Sequence, residues 1–173
     1  MELTHDFRQR TALLLGDERM ARLQNARVAV FGLGGVGGAC AEALCRAGVG
    51  RLTLVDNDTV SLSNINRQIV ALHSTVGQPK TAALRARLLD INPACDIEEK
   101  NLFFDQSTAD SIDFSAFDYV IDAIDTVSAK LLLVERWTER TAQEVHMTQP
   151  HMVPLKEIKE RCVADSLVEK FDA

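Results

Sequence analysis

The feature that most constrains the fold is a glycine run, Gly32-Leu33-Gly34-Gly35-Val36-Gly37. The short apolar stretch Arg27–Phe31 before it predicts a buried strand. The alanine-rich and leucine-rich stretch Ala39–Ala47 after it predicts a helix that stops at Gly48. Glycines at such a junction let the backbone turn tightly and approach a phosphate, whose charge the helix N-terminus stabilises. The pattern therefore favours a nucleotide site, and a purely structural glycine turn is the alternative.

Strands and helices alternate along most of the remaining chain. Residues 6–25 carry apolar side chains at helical spacing with a break near Gly16, so they predict two short helices. Further strands are predicted at 51–55, 96–102 and 119–121, and further helices begin near residues 77–80 and 127. This alternation is typical of a parallel sheet with right-handed crossovers, in the order 3-2-1-4. The predicted class is α/β, a Rossmann-like sheet with helices on both faces, preceded by the N-terminal helices.

The regular pattern ends near residue 141. Residues 1–141 are therefore predicted to form one nucleotide-binding domain, and residues 142–173 an atypical tail. Within this tail, residues 155–171 have the charged amphipathic pattern of a helix. His146 and His151 are five residues apart, which is poor spacing for one helix face, so we predict no metal site there.

The predicted strand order brings acidic side chains to the glycine loop. Asp56 ends the second strand, and Asp122 and Asp125 flank the end of the fourth. Strands one and four are neighbours at the switch point of such a sheet, where ligands bind. Asp56 is placed to accept hydrogen bonds from ribose hydroxyls, and an aspartate after strand four is placed to hold Mg²⁺ against phosphate oxygens. A helix cap is the alternative role for Asp125.

A polar segment distinguishes ATP from NAD. Asn64-Ile65-Asn66-Arg67-Gln68 follows the second strand, and Lys80 lies in the first turn of a helix, where the helix dipole disfavours a cation. A triphosphate carries about four negative charges and needs such cations, while a dinucleotide relies mainly on a helix N-terminus. Arg67 and Lys80 therefore favour ATP, and the alternative is that both are ordinary solvated side chains.

Composition excludes several other classes. The net charge of −6 gives no overall field that attracts nucleic acid, so a tRNA would require a local basic patch or a partner subunit. No stretch has the length of a membrane span, and residues 1–10 lack the apolar core of a signal peptide. The four cysteines form no C-x-x-C pair, which favours reduced thiols over disulfides or zinc. We expect a cytoplasmic protein without a membrane partner.

A series of motifs in fixed order makes a resemblance specific. GLGGVGG, LVDNDTVSLSNINRQ, VGQPK, INP and DAID follow one another between residues 32 and 125. This series resembles the ThiF/MoeB superfamily, whose members are related to ubiquitin-activating enzymes. Within it, RT-x-LLLG near Arg10, NINRQ and DAIDTVSAK are most similar to tRNA threonylcarbamoyladenosine dehydratases. The resemblance covers roughly residues 7–134.

The resemblance implies an ATP site, Mg²⁺ and a homodimer. It makes Asp125 the magnesium-linked aspartate, and Arg10 the arginine that one subunit donates to its partner's nucleotide site. Arg67, Lys80, Asp125 and Arg10 become the catalytic set. The implied nucleotide-binding residues are Gly32, Gly34, Gly35, Gly37, Asp56, Asp58, Asn66, Arg67, Gln68 and Lys80.

The implied reaction is adenylation of a carboxylate. In the dehydratases that carboxylate belongs to the threonyl group on a modified tRNA adenosine, and ring closure then expels AMP. Adenylation of a ubiquitin-like sulfur carrier is the alternative within the superfamily, although its enzymes often carry paired C-x-x-C motifs, which are absent here. A sulfur carrier or a cysteine-desulfurase-type protein is thereby a possible partner. Alternatives of other classes are an NAD(P)-dependent oxidoreductase and a non-catalytic nucleotide-binding remnant.

The sequence departs from the family after the DAID helix. Residues 138–173 do not resemble the strands, glycine-rich loop and helices that continue other members. We therefore expect this C-terminal part to be atypical or truncated, which puts the acceptor site and dimer interface in question. Cys162 has no surroundings that support acyl transfer and is interpreted as an ordinary helix cysteine.

Overall fold

A computed structural model of the chain describes residues 7–137. The predicted helix at 155–171, His146, His151 and Cys162 lie outside the described residues, and the predicted division of the chain at residue 141 stays a prediction. Within the described part, no helix is both long enough and apolar enough to cross a membrane.

The described elements alternate as expected. The helices are α1 (Gln9–Asn25), α2 (Gly35–Ala47), α3 (Lys80–Ile91) and α4 (Val127–Trp137). The strands are β1 (Arg27–Phe31), β2 (Arg51–Val55), β3 (Asp96–Lys100) and β4 (Tyr119–Asp122). Single 3₁₀ turns lie at Leu62–Asn64, Ala109–Ser111 and Phe114–Ala116.

The N-terminal segment bends where the sequence predicted. Gly16 has φ 77° and ψ 166°, so the helical hydrogen bonding of α1 is interrupted there and two short helices result. By contrast, α2 begins at Gly35, four residues before the predicted start at Ala39. The last glycines of the run are thus helical rather than part of a loop.

The four strands form one parallel sheet in the order β3-β2-β1-β4, which confirms the predicted order. Phe31 at the end of β1 pairs in register with Val55 of β2 and Asp122 of β4. The carboxyl ends of these three strands therefore lie side by side, because the register leaves no offset between them.

The two faces of the sheet are buried under different helices. Val28 and Val30 of β1 belong to a core with Ala41 of α2 and Leu84 of α3. The alternating side chains of β1 point the other way, into a core that contains Ala129 and Leu133 of α4. Because β1 is buried on both faces, its sequence is almost continuously apolar. The predicted α/β class, with helices on both faces, is confirmed.

Candidate functional site

A cavity of ≈ 430 Å³ opens at the carboxyl edge of β1, β2 and β4. Its lining brings the glycine loop, the end of β2, the 64–68 segment, the start of α3 and the loop after β4 to one place. Nine of the twelve residues predicted for the site line it: Gly32, Gly34, Gly35, Asp56, Asp58, Arg67, Gln68, Lys80 and Asp125. Gly37, Asn66 and Arg10 do not.

The glycines have packing roles of their own. Gly32 has φ 84°, and a Cβ there would lie 2.6 Å from the carbonyl oxygen of Ala123. A Cβ at Gly37 would lie 1.8 Å from the carbonyl oxygen of Gly32. A Cβ at Gly35 would lie 3.1 Å from the carbonyl oxygen of Arg67. At Gly32 and Gly37 the backbones thus approach more closely than a Cβ permits, and the contact at Gly35 is tight.

Asp56 joins the glycine loop to the end of β2. Its Oδ2 accepts a hydrogen bond from the Leu33 amide at 2.6 Å, and its Oδ1 accepts one from the Asp58 amide at 2.7 Å. Each carboxylate oxygen retains a second lone pair, so further hydrogen bonds from a ligand are possible. Asp56 therefore holds the loop in place, a role that its predicted position at a strand end did not suggest.

Arg67 is held at the cavity by neutral acceptors. Its Nη1 donates to the carbonyl oxygen of Ser63 at 2.9 Å and to Oδ1 of Asn66 at 3.0 Å. No described carboxylate pairs with it, so its full charge is available to an anion. Asn66 orients the guanidinium from outside the cavity, and Asn64 lines the cavity instead. The 3₁₀ turn at Leu62–Asn64 decides which asparagine faces inward, and no sequence pattern indicated that turn.

Gln68 adds a buried acceptor to the same wall. The residue is 8% exposed, and its Oε1 has no hydrogen-bond partner among the described residues. A buried amide oxygen without a partner costs roughly 1–3 kcal/mol. A donor on a ligand or a water molecule would remove this cost.

Lys80 is buried at the first residue of α3, which excludes the alternative of a solvated lysine. Its side chain is 7% exposed, and its Nζ lies 2.6 Å from Oδ2 of Asp58. The predicted anion near this helix N-terminus is thus supplied in part by the chain itself. Lysine has three ammonium protons, and Asp58 is the only described partner of this Nζ.

Asp122, the last residue of β4, and Asp125, three residues later, differ in their partners. Asp122 Oδ2 pairs with Lys130 Nζ at 3.1 Å, and its Oδ1 accepts the Ile124 amide at 3.0 Å. Asp125 is exposed, lines the cavity, and makes no hydrogen bond or ion pair with any described residue. Of the two, only Asp125 has a carboxylate open to a ligand in the cavity.

The carboxylates of the cavity outnumber its cations. Asp56, Asp58 and Asp125 face Arg67 and Lys80. Among the described residues, no three acidic, histidine or cysteine side chains are close enough to hold a metal ion by themselves. A polyphosphate bound here would therefore need positive charge from elsewhere, and a metal ion would take most of its ligands from phosphate and water.

One wall of the cavity is apolar, and the sequence interpretation missed it. Leu102, Phe103 and Phe104 follow β3 and line the cavity. Phe103 is 48% exposed, although large aromatic side chains are usually more buried. The signal was the pair Phe103-Phe104 directly after the predicted strand 96–102, whose last two residues lie beyond the observed β3. Such a surface suits the flat face of a heterocyclic base.

Arg10 lies on α1, is exposed, and does not reach the cavity of its own chain. Its predicted role, contributing to a partner's site, is one that a single chain leaves as a prediction.

Comparison with known proteins then decides the family. Residues 8–148 match the model of the ThiF family. The chain belongs to the ThiF family. It is 46% identical over 138 residues to the tRNA threonylcarbamoyladenosine dehydratase of Bacillus subtilis, covering 80% of this chain and 54% of that protein. It is 43% identical over 113 residues to the molybdopterin-synthase adenylyltransferase of Salmonella typhimurium, covering 65% of this chain and 45% of that protein.

Solved ThiF-family structures have the same fold. The E. coli tRNA N6-threonylcarbamoyladenosine dehydratase in complex with ATP superposes with a TM-score of 0.70 at 37% identity, over 78% of this chain and 56% of that one. The resemblance drawn from the motif series is confirmed. This ThiF-family chain spans about half the length of the curated relatives it matches.

Proposed function

We propose that this chain binds ATP and adenylates a carboxylate, namely that of threonylcarbamoyladenosine in tRNA, which then cyclises. The observation that carries the proposal is the cavity itself, where Arg67 has no described carboxylate partner and buried Lys80 lines the same cavity as the glycine loop at the N-terminus of α2. Support also comes from the 46% identity to a tRNA threonylcarbamoyladenosine dehydratase.

The cavity walls suit the parts of ATP in a definite order. The apolar wall of Leu102 and Phe103 fits adenine, and Asp56 retains lone pairs for ribose hydroxyls. The phosphates then reach the N-terminus of α2, where backbone amides and the helix dipole favour negative charge. The unpartnered Oε1 of Gln68 lies on this path and accepts a ligand hydroxyl or an ordered water.

The residues present fit Mg²⁺ as a companion of ATP. Asp125 offers one carboxylate without a described partner, and magnesium is commonly held by one or two carboxylates plus phosphate and water. The excess of carboxylates over cations in the cavity gives the same conclusion from charge balance. When bound, Mg²⁺ supplies the charge neutralisation that lets a second anion approach the phosphates.

The adenylation step follows from these charges. An oxygen of the acceptor carboxylate forms a bond to the α-phosphorus, and the bond from that phosphorus to the pyrophosphate oxygen breaks. Arg67 and Lys80 stabilise the negative charge that develops on the phosphate oxygens, and the rigid loop fixes the line of attack. No protein nucleophile is needed. Ring closure of the activated threonyl group then releases AMP.

We further propose that other parts of the assembly supply the tRNA contacts. Most described arginines outside the cavity are neutralised by a carboxylate, as in the pairs Arg27–Asp118, Arg51–Asp96 and Arg87–Glu42. This leaves little positive charge on the described domain for a phosphate backbone. A homodimer in which Arg10 enters the partner's site would add one cation, and a cytoplasmic location gives access to tRNA.

The test is ATP–pyrophosphate exchange by the purified chain, with and without threonylcarbamoyl-modified tRNA. We expect exchange that requires the modified tRNA and falls at least about 100-fold in Arg67→Ala. Arg85→Ala is the matched control, because Arg85 is exposed, pairs with Glu99 at 3.5 Å and lies outside the cavity. Exchange that responds only to a ubiquitin-like sulfur carrier would move the proposal to the other branch of the family. A chain that does not bind ATP would refute it.

A further inference from the structure

Asp58 raises a chemical problem for the proposed function, on which this inference rests. The sequence predicts that it contacts the nucleotide, yet it is a carboxylate in a cavity proposed to receive a triphosphate. Two anions in contact repel each other, and the cavity already holds more carboxylates than cations. A direct contact between Asp58 and phosphate would therefore weaken binding.

The contacts of Asp58 suggest a different role. Its Oδ2 lies 2.6 Å from Lys80 Nζ, and its own side chain remains 60% exposed. Its main chain also fixes the same residue, since the Lys80 amide donates to the Asp58 carbonyl oxygen at 2.9 Å. Asp58 therefore meets Lys80 at both the backbone and the tip of the side chain.

The backbone around this pair is held by further hydrogen bonds. Thr59 and Pro79 form an antiparallel bridge, and Val60 exchanges hydrogen bonds of 2.8 Å with Gln78 and Gly77. At its other end, Asp58 donates its amide to Asp56, which in turn accepts the Leu33 amide of the glycine loop. A continuous chain of hydrogen bonds thus runs from the glycine loop to the lysine ammonium.

A buried lysine needs such a partner before any ligand arrives. Its side chain loses rotamer entropy when it is fixed. An unpaired ammonium at 7% exposure would also lose much of its hydration. The Asp58 carboxylate offsets both costs and leaves two ammonium protons for a phosphate.

We propose that Asp58 is a positioning residue, which holds the Lys80 ammonium charged and directed into the cavity and acts on the reaction only through that lysine. This reassigns Asp58 from a nucleotide contact to the counter-ion of one. It follows that Asp58 has no influence on catalysis once Lys80 is removed.

A double-mutant cycle on the full chain tests this dependence. The proteins are wild type, Asp58→Ala, Lys80→Met and the double variant, each assayed for kcat and KM of ATP in pyrophosphate exchange. We expect Lys80→Met to lower kcat about 100-fold. We expect Asp58→Ala to lower kcat about tenfold, because a misdirected ammonium is misplaced by an ångström or so. The KM for ATP should change much less, since the carboxylate itself does not hold ATP.

The decisive comparison is the double variant, which should match Lys80→Met within about twofold. Multiplied effects, or full activity in Asp58→Ala, would overturn the proposal. Asp58→Glu should restore most of the rate, because the exposed side of Asp58 leaves room for a longer carboxylate. A merely structural role would not show this rescue or the split between kcat and KM.

A control variant and a second readout distinguish a failure of the role proposed for Asp58 from a failure of the proposed adenylation reaction. Glu98→Ala removes the counter-ion of Lys100, 2.9 Å away and outside the cavity, and should leave the rate near that of wild type. If wild type binds ATP but shows no exchange, the proposed reaction fails. The same cycle is then read in ATP affinity, where Asp58→Ala should weaken binding measurably in the wild-type background and not in the Lys80→Met background; no weakening in the wild-type background overturns the proposal. An effect that persists in the Lys80→Met background overturns the role of Asp58 independently.

Discussion

Two adjacent glycines in the first turns of α2 should respond in opposite directions to the same substitution. A Cβ at Gly37 would lie 1.8 Å from the carbonyl oxygen of Gly32, which is a backbone atom. A Cβ at Gly38 would lie 3.4 Å from Ile69 Cγ1, the nearest atom, which belongs to a flexible side chain. Alanine therefore fits at one position and not at the other, although both glycines are buried in the same helix.

The magnitudes follow from two opposing terms. Alanine is favoured over glycine within a helix by about 1 kcal/mol, so Gly38→Ala should raise the free energy of unfolding by about 0.5–1 kcal/mol. At Gly37 the backbone must open by more than an ångström, toward the contact distance of about 3.5 Å. Overpacking of this kind costs about 1–3 kcal/mol or more. Because a main-chain carbonyl must move, we expect Gly37→Ala to lower the free energy of unfolding by about 2–3 kcal/mol.

The assay is urea unfolding of the wild type, Gly37→Ala and Gly38→Ala, followed by far-ultraviolet circular dichroism and analysed with a common m-value. A gap of about 3 kcal/mol between the two variants is expected. ATP affinity should fall only in Gly37→Ala, since the displaced Gly32 lines the cavity. Equal stability of the two variants would refute the reasoning that backbone contact fixes the glycine run.

Three further outcomes are expected. Burial raises the pKa of the Cys95 thiol to about 12 and also raises that of Cys45, so iodoacetamide at pH 8 should label half-buried Cys40 before either, as read by mass spectrometry. Arg87 donates to Glu42 at 2.5 Å and holds the pKa of that carboxyl below its usual range, so Glu42 contributes stability at neutral pH that is lost as pH falls through the lowered value. Glu42→Gln should therefore lower the free energy of unfolding by about 1 kcal/mol at pH 7. Urea unfolding of both proteins at pH 4 and below should show a smaller difference between them. A difference that does not change with pH would contradict the assignment. Asp125→Asn should raise the Mg²⁺ concentration for half-maximal exchange at least about tenfold, while Asp122→Asn, which removes only the ion pair with Lys130, should not.

Much of the fold was predictable because local signals agreed with one another. The apolar run Arg27–Phe31, the glycines after it and the later strand–helix alternation indicated a parallel sheet, and the observed order β3-β2-β1-β4 is the one expected. The start of α2 was wrong by four residues, because glycine is a poor helix former in isolation. In the folded chain Gly37 is helical and lies so close to the Gly32 carbonyl and the Ala123 side chain that a larger residue does not fit there, which helix propensity alone does not reveal.

The sequence predicted which residues line the cavity better than it predicted the hydrogen bonds and ion pairs that these residues make. Asp56, Arg67, Lys80 and Asp125 were expected at one crevice, and all four line the cavity. The pairing of Lys80 with Asp58 was not predicted. It depends on the antiparallel bridge between their neighbours Thr59 and Pro79, and hydrophobic periodicity does not indicate an isolated bridge of this kind. The choice of Asn64 over Asn66 at the cavity likewise depends on one 3₁₀ turn.

The sequence by itself determined the class of fold, the edge of the sheet that carries the site, and membership of the ThiF family. These depend on hydrophobic periodicity, glycine positions and motif order, which are local properties of the chain. Only the tertiary structure decided which charges are already neutralised: Asp122 by Lys130 and Lys80 by Asp58, with Arg67 and Asp125 left open to a ligand among the described residues. The physical reason is that an ion pair requires two side chains within a few ångströms, and that distance is set by packing between segments far apart in the chain.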